Sequence, residues 1–148
     1  MSVTQNPPNT IFLGGKRTTV NDLAAGVAIV PGMLIEKYVP SGVINRVRPH
    51  ATASVATEFL VALDAPMLGK GVDDSYAVAD LVDAAVGHPG SEFWMIIKSG
   101  QSISFGGKLE SAGDGSLKAF NTGIVLAEAR ETKVAASTGN TRIRVVVV

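Results

Sequence analysis

The chain has 148 residues, thirteen basic and thirteen acidic, and no cysteine, which excludes disulfides, thiolate metal sites and cysteine nucleophiles. Zero formal net charge leaves no long-range field to draw it to nucleic acid or to an anionic membrane surface. Hydrophobic residues reach 46%, yet no run approaches the roughly 20 apolar residues of a membrane span, and the length fits one domain.

Residues 1–19 are polar, contain Pro7-Pro8, and show no periodicity outside Ile11-Phe12-Leu13. They predict an extended N-terminal arm ahead of a single β-rich domain, residues 20–148. The opening MSVTQNPPNT has neither a basic n-region nor an apolar h-region, so the expectation is a soluble chain that is not exported. Between Pro8 and Gly14-Gly15, the triplet Ile11, Phe12, Leu13 reads as a short strand suited to a sheet edge or a neighbouring subunit.

Residues 19–26 predict one or two helical turns, capped by Thr19 or Asn21 and stopped by Gly26. Beyond them, strand-like runs come at close spacing: 27–30, 34–39, 43–47 and 59–63, punctuated by Pro31-Gly32, Pro40-Ser41-Gly42 and Pro49-His50. The first run, Val27, Ala28, Ile29 and Val30, is a candidate edge to receive a neighbour's arm. Residues 51–63 are alanine-rich, but Thr52, Ser54 and Thr57 are poor helix-interior choices and Phe59-Leu60-Val61 has strand composition, so a strand is expected.

Residues 76–119 hold the densest alternation of apolar runs and glycine turns and predict a β-meander. Phe93-Trp94-Met95-Ile96-Ile97 is too short for an ordinary helix and is bounded by turn residues, as a buried strand would be, with Trp94 in the core. Residues 102–105 alternate polar and apolar, and Gly106-Gly107 supplies the positive φ of a hairpin turn. Gly113-Asp114-Gly115 is a second turn. At the C-terminus, Arg142 and Arg144 share one face of a strand with Ile143 and Val145 on the other, and four closing valines argue for a central strand rather than an exposed edge. Short strands separated by Pro and Gly turns make the class all-β, a sandwich or a small barrel.

No motif for catalysis or cofactor binding is complete in the sequence. His50 and His88 each adjoin a proline in an apparent turn, and Asp80, Asp83 and Ser91 merely permit a triad with His88; both histidines are expected to face solvent. Gly15-Lys16, Gly69-Lys70 and Gly107-Lys108 lack the upstream glycine and following hydroxyl of a phosphate loop. Asp73, Asp74, Asp80 and Asp83 could hold a cation only if the loop folded them together, and their spacing is not that of an EF-hand. No catalytic, metal or cofactor residue is assigned; the expectation is a protein that is not an enzyme.

One resemblance does emerge, carried by residues 30–35 (VPGMLI), Tyr76 through Asp80, the pairing of 99–103 (SGQSI) with 107–115 (GKLESAGDG), 123–131 (GIVLAEARE) and 142–145 (RIRV). In order and spacing these pieces resemble the small head decoration, or cement, proteins of tailed bacteriophages. Where such proteins often have Gly-Asp before the leucine, this chain has Gly107-Lys108-Leu109. The resemblance implies a small β-barrel or tulip-like domain, without cofactor, that binds the outside of a capsid at junctions of the major capsid protein and stabilises the expanded shell. It implies a place on the exterior of the virion after synthesis in the host cytoplasm, and a homo-oligomer, a trimer or otherwise a dimer, contacting its neighbours through Ile11, Phe12, Leu13 and the 27–30 edge. The alternative is a carbohydrate-binding or host-attachment β-module on the virion, for which one tryptophan and 5% aromatics offer little platform.

Overall fold

The structure, a computed structural model, describes residues 8–42, 45–55 and 57–148. Thirteen strands account for its regular structure: β1 (Phe12–Gly14), β2 (Arg17–Ala25), β3 (Leu34–Tyr38), β4 (Arg46–Pro49), β5 (Leu60–Ala62), β6 (Leu81–Gly87), β7 (Glu92–Ile97), β8 (Ser102–Ile103), β9 (Lys108–Ser111), β10 (Leu117–Ala119), β11 (Ala127–Ala129), β12 (Lys133–Val134) and β13 (Thr141–Val147). The all-β expectation holds, and among the described residues the helical content is a single 3-10 turn, Pro66–Leu68.

Strands β2-β4-β3-β5-β6 close into a barrel. The remaining long strands form a sheet in the order β1-β7-β10-β9-β11-β13, and β13 returns to pair with β7, so five of them also make a closed circuit. Closure satisfies the backbone groups that an open edge would expose. The valine-rich C-terminus is interior as expected, because β13 is bonded on one side to β7 and on the other to β11.

Residues 76–119 do not form a meander. β6 belongs to the barrel and β7 to the sheet, so the chain crosses between units at 88–91, and β10 pairs with β7 in parallel. β9 and β10 are a true hairpin across Gly113-Asp114-Gly115, with Gly113 and Gly115 at φ of +84° and +86°. Gly106-Gly107 makes a turn that joins strands with different partners: β8 pairs with β12, and β9 with β10 and β11. Strand β8 ends at Ile103, and Phe105 stands 67% exposed in that turn.

The expected helix at 19–26 is instead most of β2, nine residues antiparallel to β6 with an irregularity between Val20 and Leu23. Local caps were outweighed by the ladder to β6 and by Val20 and Leu23 packing on the barrel interior. The expected 51–63 strand shrinks to β5, because 51–55 serves as packing material for two turns. A Cβ on Gly113 would lie 2.9 Å from the Ala53 nitrogen, and one on Gly123 2.3 Å from the Ser54 carbonyl oxygen. Small residues there reflect close approach rather than helix propensity. For the 43–47 run, β4 begins at Arg46, and Val43 and Ile44 lie outside the described residues.

Residues 11–19, expected as part of an arm, belong to the folded domain. Residues 1–7 lie outside the described residues, but Ile11 is fully buried in the main core, β1 pairs with β7, and β2 is already barrel from Arg17. That core joins the two units: Leu34, Phe59, Val61, Leu63 and Ala85 from the barrel side meet Phe93, Met95, Leu109, Ile143 and Val145 from the sheet. A second, smaller core fills the barrel with Ile35, Val47, Leu60, Tyr76 and Val82. The Tyr76 hydroxyl donates to the Leu63 carbonyl at 2.6 Å, and burial pushes its pKa up to about 12.

Polar groups make the other bridge between the units. The faces of β13 alternate as expected, yet Arg142 is buried rather than solvated: its Nε and Nη2 donate to the Pro31 carbonyl at 3.3 and 3.1 Å, Nη2 also to the Val72 carbonyl, and Nη1 to Asp73 at 2.9 Å. Its guanidinium lies 5.3 Å from the ring centre of Trp94, which is only partly buried, against expectation. Beside it Gly32, at φ +93°, donates to Ala62 of the barrel and accepts from Ile96 of the sheet. Replacing Arg142 with Met should lower unfolding free energy by about 2–4 kcal/mol, since two enclosed carbonyls lose charge-assisted donors. Asp73→Asn should lose under about 1 kcal/mol because Asp73 is exposed. Urea midpoints test this, and equal losses would put the stabilisation in the ion pair instead.

Candidate functional site

Three buried polar clusters bring reactive types of side chain together. His50, 2% exposed, bonds through Nδ1 to the Ser111 hydroxyl at 2.6 Å, with its Nε2 3.7 Å from Glu36. This corrects the expectation of a solvent-facing turn histidine: β4 ends at Pro49, and the His50 N–H, donating to the Leu34 carbonyl, carries the side chain inward. Burial holds the imidazole below its ordinary value of 6.5, with Glu36 opposing and Arg48 reinforcing. Histidine, serine and carboxylate thus meet in triad order, but Ser111 is fully buried and no substrate can reach its hydroxyl.

Glu110 is the second cluster. It is enclosed and accepts from the Gly123 N–H at 2.8 Å and the Ser54 hydroxyl at 3.0 Å, with Lys118 Nζ at 3.4 Å. Burial works to raise its pKa, but these donors outweigh it and hold the carboxyl below the ordinary range. One carboxylate thereby pins the 51–55 and 121–124 loops to β9. Arg142, already described, is the third. All three hold loops to strands, a structural use of polar groups.

The sequence-derived candidates are not brought together. His88 Nε2 lies 3.0 Å from the Thr18 hydroxyl, while the Ser91 hydroxyl donates to the Lys16 carbonyl. Asp73 is held by Arg142, Asp74 accepts from the Gly71 N–H, and Asp80 from the Ala77 N–H. Among the described residues no three His, Cys, Asp or Glu side chains converge as a metal site.

Of the proposed contact residues, Ile11 packs in this chain's own core, Phe12 lies edge-on to Phe93 at 5.4 Å under the Arg17 guanidinium, and Leu13 is half-buried. The Ile11 carbonyl accepts from the Trp94 N–H and Phe12 pairs with Phe93, so this segment is held on β7 and Ile11 has no free surface to offer a neighbour. Ile29 is buried and doubly bonded to Tyr76, and Val30 is half-buried, whereas Val27 and Ala28 are exposed. Backbone bonds hold 25–29 against 76–80, which sets exposed Val27 beside exposed Val78, with Leu81 at the start of β6 60% exposed. Val78 and Leu81 were not singled out by sequence; the close of the barrel leaves both facing out. This rim is the candidate contact surface.

No protein-family model matches the sequence, and no curated protein matches it. Among solved structures, the chain shares its fold with the N base of the head fiber gp8.5 of bacteriophage phi29, at a TM-score of 0.60 and 12% identity, over 90% of this chain and 95% of that one.

Two outcomes are expected from these contacts. Ile11→Ala should cost about 2–5 kcal/mol, the range for truncating a buried aliphatic, read as a lowered urea midpoint. Because the folded-state pKa of His50 lies below 6.5, unfolding takes up a proton as pH falls; stability is full above 6.5 and declines as pH drops through the lowered value. Glu110 adds a separate loss below 4.5. Denaturation across pH should show both slopes, and His50→Gln should abolish the first and retain the second.

Proposed function

We propose that the chain is a non-enzymatic structural component of a tailed-phage head that binds the outer surface of the shell at junctions of the major capsid protein and stabilises the expanded state. The observation that carries this reading is a fold held in common, over nearly the full length of both chains, with the base of a phage head fiber. The resemblance of residues 30–145 to head decoration proteins supports the same role from an independent direction. Binding only the assembled shell would add association free energy at every site, by mass action, and several copies acting together would hold more firmly than one. The apolar rim of Val27, Val78 and Leu81 is the surface assigned to the shell.

A second reading, a glycan-binding module on the virion, draws on one observation. Phe120, 43% exposed, lines a recess with Ser102, Ser104 and Lys108, and Phe105 beside Ser104 is exposed as well. Loss of cell or glycan binding on Phe105→Ala with Phe120→Ala, without loss of head binding, would favour it.

The test of the first reading is sedimentation of the purified chain with heads assembled without it. The chain should co-sediment and raise the temperature at which heads release DNA, and Val27→Asp with Leu81→Asp should weaken binding at least about tenfold. Failure to co-sediment at any salt concentration overturns it.

A further inference from the structure

Where the lead-in to β1 crosses the barrel wall, a cleft of about 260 Å³ opens between Thr10 on one side and β2, β6 and the segment after β5 on the other. Its apolar part is Leu63, buried and bonded through its N–H to the Asp83 carbonyl at 2.7 Å, together with exposed Met67. Its polar part is Thr10, Arg17, Thr19, Asp64 and Asp83. Pockets for drug-sized molecules run to about 300–1,000 Å³, so this one suits a smaller ligand.

Charges of both signs line this cleft, and they are held apart. Asp64 is pinned through one oxygen: Oδ1 accepts from the Thr10 hydroxyl and the Ile11 N–H, both at 3.0 Å, and Oδ2 has no bond among the described residues. Asp83 is carried by β6, and its carboxylate has neither hydrogen bond nor ion pair among the described residues. Arg17 is drawn to Phe12 instead, with the guanidinium carbon 4.4 Å from the ring centre and no ion pair to either aspartate among the described residues. An aromatic face thus competes successfully for a cation that an exposed ion pair would hold only weakly.

A ligand with one charge fits this lining poorly. An anion would meet two carboxylates, and a simple cation would meet Arg17. A metal ion would lack ligands, because no three His, Cys, Asp or Glu side chains converge among the described residues. The complement is a small molecule that carries an ammonium and a carboxylate a few bonds apart. An ammonium has three N–H donors, and Asp64 Oδ2, the Asp83 carboxylate and the Thr19 hydroxyl are three acceptors for them. The guanidinium fork matches a carboxylate with two parallel bonds. Between these groups, Leu63 and Met67 offer apolar area to an aliphatic substituent.

We propose that the cleft binds a free α-amino acid with an aliphatic side chain, its ammonium on Asp64 and Asp83, its carboxylate on Arg17 and its side chain against Leu63 and Met67. The end of a protein chain would not serve, because it brings only one of the two charges. Asp64 is fixed by the β1 lead-in, while Asp83 and Arg17 stand on strands of the barrel, so the walls need little ordering when the ligand arrives. This site goes beyond attachment to a shell and does not depend on it.

The test is a titration of the full chain followed by amide resonances, with L-leucine, L-leucine methyl ester and N-acetyl-L-leucine as probes. L-leucine should shift Thr19, Leu63 and Asp83 with a Kd of about 1 mM, a range suited to so small a ligand. The ester lacks the carboxylate and the acetyl form the ammonium, and each should bind at least about tenfold more weakly. Arg17→Gln and Asp83→Asn should each weaken L-leucine by at least about tenfold. Neither side chain makes a hydrogen bond among the described residues, so resonances away from the cleft should stay in place. The blocked probes examine the same pairing on the unaltered chain, so the result does not rest on either variant folding. No shift at roughly fifty times the expected Kd overturns the proposal. So does equal binding of the ester, which would make the cleft a receptor for a chain's N-terminus, or unchanged binding by either variant. A chain that takes L-leucine as expected yet ignores phage heads leaves this site standing and removes the shell-binding reading instead.

Discussion

The architecture depends on how a barrel and a sheet, each nearly self-contained, are held as one body. Arg142 does this where solvent is excluded, reaching from β13 to the Pro31 and Val72 carbonyls. Those carbonyls belong to segments that enter and leave the barrel, so one guanidinium satisfies acceptors that neither unit could satisfy from its own ladder. Gly32 is the backbone counterpart. Its amide is bonded to β5 and its carbonyl to β7, and a side chain there would press on the Trp94 carbonyl and Arg142 at 3.1 Å. The junction therefore needs glycine for space as well as for its positive φ.

Around that junction the apolar core does the larger share of the joining. Phe59 from the barrel side meets Phe93 of β7 at 5.9 Å between ring centres, and Phe93 also receives Phe12 of β1. Phe12, 81 residues before Phe93, and Phe59, 34 residues before it, converge on one ring, and the fold is built largely from such non-local contacts. Closed strand circuits in both units leave few unpaired edges, which suits a neutral, valine-rich chain that would otherwise associate through its backbone. What remains for recognition is side-chain surface: the Val27 rim and the cleft beside Met67.

Buried polar groups were the residues most easily mistaken for chemistry. His50 with Ser111 and Glu36 has the composition of a triad, but His50 and Ser111 are buried, and that burial holds the imidazole below its ordinary value. Glu110 has a lowered pKa because the Gly123 amide, the Ser54 hydroxyl and the Lys118 ammonium hold its carboxylate against the cost of burial. In a domain with long loops between short strands, such groups replace the ladder bonds that the loops lack.

Local pattern by itself determined the class and the place of several strands and turns. Alternation at 142–145, the apolar run at 93–97 and the glycine turn at 113–115 each name a strand or hairpin, because side-chain period and positive φ are properties of a few neighbouring residues. The resemblance to head decoration proteins was likewise legible, as order and spacing of turns. Tertiary structure decided the rest. It turned 19–26 from helix to strand by offering β6 as a partner, drew Ile11 from an arm into the core, buried His50 and Arg142, and left Met67, Val78 and Leu81 outside. The physical reason is common to all of these: whether an apolar or charged side chain is covered depends on which distant strand closes over it, and in a fold of closed β circuits that partner is set by long-range pairing, which no local window of sequence contains.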